Sequence, residues 1–261
     1  MAPGAGAPPV TACAGPAGWV NQAGDLIASP LPAAARSRVV LLGEEHDRVI
    51  DHTWELAALA YFDRVRPGLM LGLEMFPRSR QYALDGWVSG MESEQSFLLQ
   101  SDWAHVWGFD PNLYLPIFRF ARDHHMPLLA LNVDGALVHT VAHQGWAQVP
   151  VAAREGVGDP APPEPAYRAM LDEEMAEHAG PRMKASQIAH FIDAQLLWDR
   201  AMAEAIARAH AAEPGRLIVA MMGAGHLEHR WGIPHQLASL GLPDAAVLLP
   251  SAESCGGAAK D

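Results

Sequence analysis

The segment Val39–Asp47, which reads VVLLGEEHD, fixes the fold class of this chain. It contains the end of a short β-branched and aliphatic run, Arg38–Leu42, which Gly43 stops and charged or titratable residues follow. An apolar run of this length, bounded by glycine and charges, is typical of a strand that is buried on both faces. The sequence therefore predicts a buried strand with Glu44 and His46 just beyond its carboxyl end.

The residues after this turn predict a helix and a second strand. From Trp54 onward, apolar side chains recur at offsets of 3, 4, 7, 8 and 11 residues, which is the pattern of an amphipathic helix. The helix is expected to end at residues 66–68, which read Arg-Pro-Gly, and the apolar strand Leu69–Leu73 follows with Glu74 directly after it. Because the unit is strand, helix, strand, the two strands are expected to be parallel.

The same alternation continues to the C-terminal end. Further strands are predicted at Pro127–Leu131, Leu217–Met222 and Ala246–Leu249, with helical patterns between them. The predicted fold class is α/β, with a central, mostly parallel sheet of about four to five strands, flanking helices and a helical insertion between strands. We expect an irregular lead-in over residues 1–37, the α/β domain over residues 38–250 and a flexible tail over residues 251–261.

Composition and charge exclude several kinds of partner. The chain has 261 residues, half of them hydrophobic, and a formal net charge of −12 with 18 lysines and arginines. With so few basic side chains, the protein lacks a positively charged surface for phosphates or anionic lipids. We therefore expect no nucleic-acid partner and no membrane-surface binding. No apolar run reaches the roughly 18 residues of a membrane-spanning helix, so no transmembrane segment is expected.

The two cysteines, Cys13 and Cys255, are too few for a disulfide framework or a cysteine-based zinc site. A disulfide between the two ends of the chain is one alternative. Another is that residues 10–13, which read VTAC, are the end of a lipobox, although the apolar segment of such a signal is absent. If the chain as given is complete, the lack of an export signal predicts a cytoplasmic protein.

Histidines and carboxylates follow the ends of the predicted strands. In open α/β sheets, ligands bind beyond the carboxyl ends of the strands, where loops and helix N-termini converge. The strands bring the following residues to that edge: Glu44 and His46, Glu74, Asn132 and Asp134, and His226. Gly43 and Gly223 each precede a histidine by three residues, where tight turns need permissive backbone. The sequence therefore predicts one polar site built from several strands.

Two kinds of chemistry suit these residues, and both stay open at this point. A divalent metal could bind to His46, Glu74 and His226 and keep open positions for water. Alternatively, Glu44 could join these three residues as the catalytic set of a hydrolase, with glutamate and histidine as base and acid. On the long predicted helix Ala185–Ala211, Gln195 and Asp199 lie on the otherwise apolar face, which favours them as partners that cap a helix or orient His46 or His226 rather than as catalysts.

Several blocks of this sequence resemble those of one known family, in order, from about Trp19 to about Leu240. The blocks are VVLLGEEHD (Val39–Asp47), GLEMFP (Gly72–Pro77), LALNV (Leu129–Val133), Tyr167-Arg168, QLLWD (Gln195–Asp199) with Met202-Ala203, and Gly223–His226 with Gly232-Ile233-Pro234. They resemble the ChaN-like haem-binding proteins. That family belongs to a superfamily that includes the Tiki metalloproteases and is similar in motif layout to the erythromycin esterases.

The resemblance implies haem as the cofactor and a homodimer as the assembly. ChaN is an iron-regulated, membrane-anchored lipoprotein that binds haem at a dimer interface through tyrosine, which implies haem or iron uptake or trafficking in the periplasm or at a membrane. Tyr167 and His178 are the candidate haem ligands here. No C-x-x-C-H motif occurs, so any haem is held reversibly and without a covalent bond.

The same resemblance also supports the alternative function. Glu44, His46, Glu74 and His226 match the motif positions of the superfamily, whose esterase-like members use paired glutamates and histidines at this edge. The alternative is therefore a metal-dependent or Glu/His hydrolase, of the protease or esterase type, that uses the residues at the strand ends.

Overall fold

The computed structural model describes residues 9–15, 18–179 and 185–251. Its strands are β1 (Thr11–Gly15), β2 (Gly18–Val20), β3 (Leu26–Ile27), β4 (Val39–Glu44), β5 (Met70–Pro77), β6 (Leu128–Asn132), β7 (Ile218–Gly223) and β8 (Ala246–Leu249). They form one eight-stranded sheet in the order β3-β2-β1-β8-β4-β7-β5-β6. β4 pairs in parallel with β7 and β8, and β5 pairs in parallel with β6 and β7.

The α/β prediction is confirmed, and all five predicted strands are present within a few residues of their expected bounds. β4 shows why the run Arg38–Leu42 becomes a central strand. Its side chains alternate between the two faces, so that Val40 and Leu42 join the core on one face while Val39 and Leu41 join the core on the other. A strand with an apolar core on each face has to be apolar at every position.

The prediction of an irregular lead-in over residues 1–37 is wrong for most of its described part. β1 lies parallel to β8, and β2 and β3 follow it as antiparallel strands. The segment lacks the usual strand pattern because small residues fill β1, where Ala12 and Cys13 are fully buried against the sheet. The bounds proposed for the α/β domain and the tail stay predictions.

The lipobox interpretation of residues 10–13 stays a prediction. In the folded chain Cys13 is fully buried in β1 and is disulfide-bonded, an arrangement that an acylated cysteine could not share. The predicted disulfide between the two ends of the chain involves Cys255, which lies outside the described residues.

Helices cover both faces of the sheet. They are α1 (Leu31–Ala34), α2 (Val49–Val65), α3 (Gln81–Val88), α4 (Glu94–Gln100), α5 (Trp103–Val106), α6 (Pro111–Asp123), α7 (Gly135–Gln144), α8 (Pro165–Ala179), α9 (Ala185–Ala212) and α10 (Ile233–Ser239). α2 and α6 pack on one face, and α9 and α10 pack on the other. None of the described helices is long and apolar enough to cross a membrane.

The predicted helical insertion lies between β5 and β6 and consists of α3 to α6. An aromatic cluster fastens it to the sheet: Phe76 of β5 contacts Phe97, Trp103 and Phe118. The indole of Trp87 donates a hydrogen bond of 2.8 Å to the carbonyl oxygen of Phe118, which satisfies a polar group inside this apolar layer. The insertion thereby holds α5 and α6 over the carboxyl edge of the sheet.

Replacement of Gly43 by alanine is expected to lower the free energy of unfolding by about 1–3 kcal/mol, the usual effect of overpacking a core. A Cβ at this position would lie 2.5 Å from Cδ2 of Leu249 and 3.2 Å from Cα of Ala224. Urea unfolding measures the change. Gly225→Ala, where a Cβ would meet no atom within 4 Å, is the control and should unfold like the wild type; equal effects of the two substitutions would contradict the packing argument.

Candidate functional site

The carboxylate of Glu44, at the end of β4, holds the imidazole of His46. Glu44 is only 2% exposed, and its Oε1 accepts hydrogen bonds of 2.7 Å from His46 Nδ1 and from the hydroxyl of Tyr114 on α6. The side chain of His46 is 30% exposed and contacts the rings of Trp107 and Phe109. Because Nδ1 is engaged, Nε2 is the nitrogen of His46 that can meet a ligand.

A second carboxylate holds His226 in the same manner. Oδ1 of the buried Asp199, on α9, lies 2.7 Å from His226 Nδ1, and its Oδ2 accepts a hydrogen bond of 2.9 Å from the hydroxyl of Tyr167. Gly232 makes this approach possible, since a Cβ there would lie 2.8 Å from Asp199 Oδ1 and 2.5 Å from the carbonyl oxygen of His226. Each histidine is therefore bound by a buried carboxylate that also accepts from a tyrosine.

Glu74 joins the two histidines at the edge of the sheet. Its Oε1 lies 3.4 Å from His226 Nε2, and its Oε2 accepts a hydrogen bond of 2.6 Å from the backbone N–H of Gly223. Gly223 also gives space to His46: a Cβ there would lie 2.9 Å from His46 Cε1 and 3.7 Å from Glu74 Oε2. The side-chain amide of Asn132 donates to the backbone oxygen of Glu74, which fixes the end of β5.

The charges at this edge follow from burial and ion pairing. Burial lowers the pKa of His226, but Glu74 and Asp199 outweigh burial and raise that pKa to about 10. Burial raises the pKa of Glu74, yet His226 and His46 bring it below its usual value. Burial is the main reason that the pKa of Asp199 is raised. At neutral pH the edge thus carries an imidazolium at His226 beside an ionised Glu74.

The environment of His46 differs from that of the buried His226, because solvent reaches the side chain of His46. Burial lowers its pKa, but the hydrogen bond to Glu44 and the charge of Glu74 raise it above the ordinary value. Burial raises the pKa of Glu44, and hydrogen bonds from His46 and Tyr114 together with the positive charge of His52 overcome this and lower it to about 2. Glu44 is therefore an ionised acceptor that keeps the ring of His46 in one orientation.

Two further titratable side chains lie behind Glu44. His52 and Glu55, both on α2, are buried, and the ring of His52 packs against that of Tyr114 at an interplanar angle of 54°. Burial lowers the pKa of His52, but Glu44 and Glu55 raise it to about 10. Burial and the nearby Glu44 raise the pKa of Glu55 well above its usual range. Sequence reasoning missed both residues, although they extend the buried stripe of α2 by one further turn.

A cavity of about 740 Å³ opens beside these residues. Its lining includes His46, Glu74, His105, Trp107, Phe109, Trp198 and His226. A smaller cavity of about 180 Å³ shares His46 and His226 and reaches Tyr167. The larger volume lies within the range of small-molecule and cofactor sites, and its walls combine aromatic rings with a few polar groups.

The structure brings Glu44, His46, Glu74 and His226 together at one edge, and Asp199 orients His226. Their catalytic and metal-binding roles stay predictions. Among the described residues, the set of three metal-ligating side chains whose ligand atoms lie within 4.8 Å of one another is a different one: Glu44, His52 and Glu55.

Of the two predicted haem ligands, only Tyr167 has its side chain among the described residues. Tyr167 is buried, and its hydroxyl donates to Asp199, so ligation of iron would require that hydrogen bond to break. His178 lies in α8, and its side chain is outside the described residues. Both assignments stay predictions.

These features define a class: an α/β domain with a cofactor-sized cavity and oriented histidines at the carboxyl edge of a parallel sheet. The profile described as haem-binding uptake, Tiki superfamily, ChaN matches residues 31–237. The chain belongs to this family. The resemblance of the sequence blocks is thereby confirmed.

Two solved structures show the same fold. ChaN of Campylobacter jejuni, described for its cofacial haem binding, has a TM-score of 0.68 at 14% identity and 87% coverage of each chain. A mutant of the erythromycin esterase EreC, in its open conformation, has a TM-score of 0.52 at 13% identity and covers 84% of this chain and 71% of its own. No curated protein sequence matches this chain significantly.

Stability should fall at alkaline pH through the loss of the charge on His226. Its pKa is raised from 6.5 to about 10 in the folded protein, so the stabilisation is complete below about pH 6.5 and is lost as the pH rises through 10. Between pH 7 and 10 the unfolding free energy of the wild type should fall by a few kcal/mol more than that of His226→Gln. Urea unfolding across this range gives both curves.

His124→Gln is the matched control for this comparison. His124 also contacts a carboxylate, Asp63, but at an exposed position away from the edge. This variant should keep the pH dependence of the wild type. Parallel curves for the wild type and His226→Gln would show that His226 is neutral in the folded protein.

Proposed function

We propose that this chain is a haem-binding protein of haem or iron uptake or trafficking, which binds haem reversibly in the cavity at the carboxyl edge. The observation that carries the proposal is this cavity, about 740 Å³ in volume, in a chain of the haem-binding ChaN family. Trp107, Phe109 and Trp198 give it aromatic walls against which a flat macrocycle can pack.

The donor atoms at the cavity suit haem iron. His105 is 84% exposed, and its Nδ1 lies 2.6 Å from Asp102, so its Nε2 faces outward for coordination. His46 offers Nε2 in the same way because Glu44 holds its Nδ1. Tyr167 and His178 remain the ligands that the sequence predicts. When bound, haem supplies an iron centre for ligand or electron exchange; the chain contributes the donor, its orientation and the apolar walls.

The proposal includes a homodimer. The ChaN structure of Campylobacter jejuni is described as cofacial haem binding, which places two haems face to face. The mouth of the cavity is where a second copy would have to meet the first for two haems to stack. Haem-dependent dimerisation, measured by light scattering with and without haemin, tests this part separately from binding.

Titration of the full chain with haemin should give a saturable, shifted Soret band. If one of the cavity histidines is the axial ligand, its replacement in His46→Ala or His105→Ala should raise the dissociation constant for haemin tenfold or more. A tenfold change corresponds to a loss of about 1.4 kcal/mol of binding free energy. A Tyr167→Phe and His178→Ala double variant tests the sequence-based ligands. His124→Ala, away from the cavity, is the control and should bind like the wild type.

The charge-transfer bands of the haem complex separate tyrosinate from histidine ligation. A spectrum that none of these variants changes would refute all four ligand assignments. Absence of a saturable band in the wild type would refute haem binding itself.

A second candidate function is hydrolysis, and one observation favours it. Glu74 is ionised and buried next to the protonated His226, which Asp199 orients, and the half-buried His46 lies beside Gly223. Glu74 could take a proton from water while an imidazole donates one to the leaving group of an ester or amide. This arrangement needs no residue beyond those that the structure brings together.

Under this second function, Glu74→Gln should keep the fold but lower kcat by about 10²–10⁴, because the amide cannot accept the proton. Its oxygen can still accept the hydrogen bond from Gly223. A screen of ester and peptide substrates, with circular dichroism as the control for folding, measures the change. Wild-type turnover in Glu74→Gln would exclude this residue as the base.

A further inference from the structure

A cluster of three titratable side chains lies inside the protein, behind Glu44 as seen from the cavity. We call it the inner cluster and define it as Glu44, His52 and Glu55. His52 Nδ1 lies 3.2 Å from Glu44 Oε2 and 3.1 Å from Glu55 Oε2. All three side chains are buried, and Glu55 is fully so. None of its three residues lines the cavities beside His46 and His226.

The backbone determines which nitrogen of His52 can bind a cation. His52 Nε2 lies 3.2 Å from the carbonyl oxygen of His46, which can only accept a hydrogen bond, so Nε2 carries the hydrogen. In the neutral imidazole, Nδ1 then presents a lone pair toward two carboxylates. The two carboxylates need a positive charge between them in this dry interior. Without a metal, the raised pKa of His52 keeps a proton on Nδ1 in that place, and a divalent cation can replace this proton.

Two buried carboxylate oxygens of the inner cluster remain without a hydrogen-bond donor from the described part of the chain. Among the described residues, neither Glu44 Oε2 nor Glu55 Oε1 has a hydrogen-bond partner. A buried carboxylate oxygen without a donor is costly, and such atoms in folded proteins call for a bound water, ion or proton. Both orphan atoms belong to the inner cluster, and both of their residues are within reach of a common cation.

We propose that the inner cluster is a binding site for a divalent transition-metal ion, with Zn²⁺ as the best match. One imidazole nitrogen and two carboxylate oxygens are donors that Zn²⁺ accepts, and two carboxylates neutralise its charge. Ligands at about 2.0–2.1 Å from a tetrahedral ion lie roughly 3.3 Å apart. The observed separations of 3.1 and 3.2 Å fit this spacing.

The ion would act on the site through Glu44. Glu44 Oε1 binds His46 Nδ1, while Oε2 faces the inner cluster, so one carboxylate connects the buried ion to the histidine at the cavity. A metal at the inner cluster would therefore fix the orientation of His46 through the carboxylate of Glu44. This site is separate from the predicted set of His46, Glu74 and His226 and does not depend on haem.

Metal analysis of the full chain tests the proposal. The protein, without a metal-binding affinity tag, is refolded from urea with Zn²⁺, dialysed and measured by mass spectrometry for zinc. We expect about one zinc per chain in the wild type, as for a site with three protein ligands. Glu55→Gln, which keeps the side-chain volume, should lose at least nine-tenths of it. Glu74→Gln is the matched control and should keep it.

Three results would overturn the proposal: no retained zinc in the wild type, zinc that survives in Glu55→Gln, or zinc that is lost in Glu74→Gln. Should Glu55→Gln fail to fold, Co²⁺ in the wild type gives an independent measurement. Tetrahedral nitrogen and oxygen ligation should produce visible absorption bands, and a wild type refolded with Co²⁺ that lacks them would equally refute the site. Haem is absent from these samples, so a failure of haem binding would change neither the zinc content nor the Co²⁺ absorption bands.

Discussion

Burial of the carboxylate of Glu44 is the constraint on which this side of the molecule depends. A charge at the end of a central strand is very costly unless donors surround it. Three segments therefore meet there: the turn after β4 supplies His46, α6 supplies Tyr114 and α2 supplies the ion-paired His52. The aromatic layer of the insertion keeps α6 in place, so packing far from the edge determines whether the charge of Glu44 is satisfied.

A second buried carboxylate, on the other side of Glu74, accepts from a histidine and a tyrosine in the same way. Asp199 receives His226 and Tyr167 as Glu44 receives His46 and Tyr114, although the two sets come from unrelated elements. In both, the carboxylate engages Nδ1 and leaves Nε2 directed away from it. Two imidazoles held in fixed orientations, one of them charged, are a starting point for either coordination or proton transfer, the two kinds of chemistry proposed for this edge.

Much of the fold and part of the site could be predicted from the sequence. Continuous apolar runs predict buried strands such as β4. Because ligands bind beyond the carboxyl ends of such strands, Glu44, Glu74 and His226 are then expected at one site. β1 could not be found this way, because small residues such as Ala12 fill it and no alternation marks it. His52 and Glu55 were missed because a buried helix face is expected to be apolar. Partners over long sequence separations, such as Tyr167 with Asp199, carry no local signal.

The N-terminal strands also change what the sheet exposes. Without β1, the strand β8 would be a free edge with unpaired backbone groups, and its four residues are all buried and apolar. Such an edge is a template for pairing with another chain. β1 covers it, and the next two strands place the short pair Leu26–Ile27 at the border instead. Residues ahead of the family match thus protect the protein from self-association through its own sheet, a role in solubility rather than in binding or catalysis.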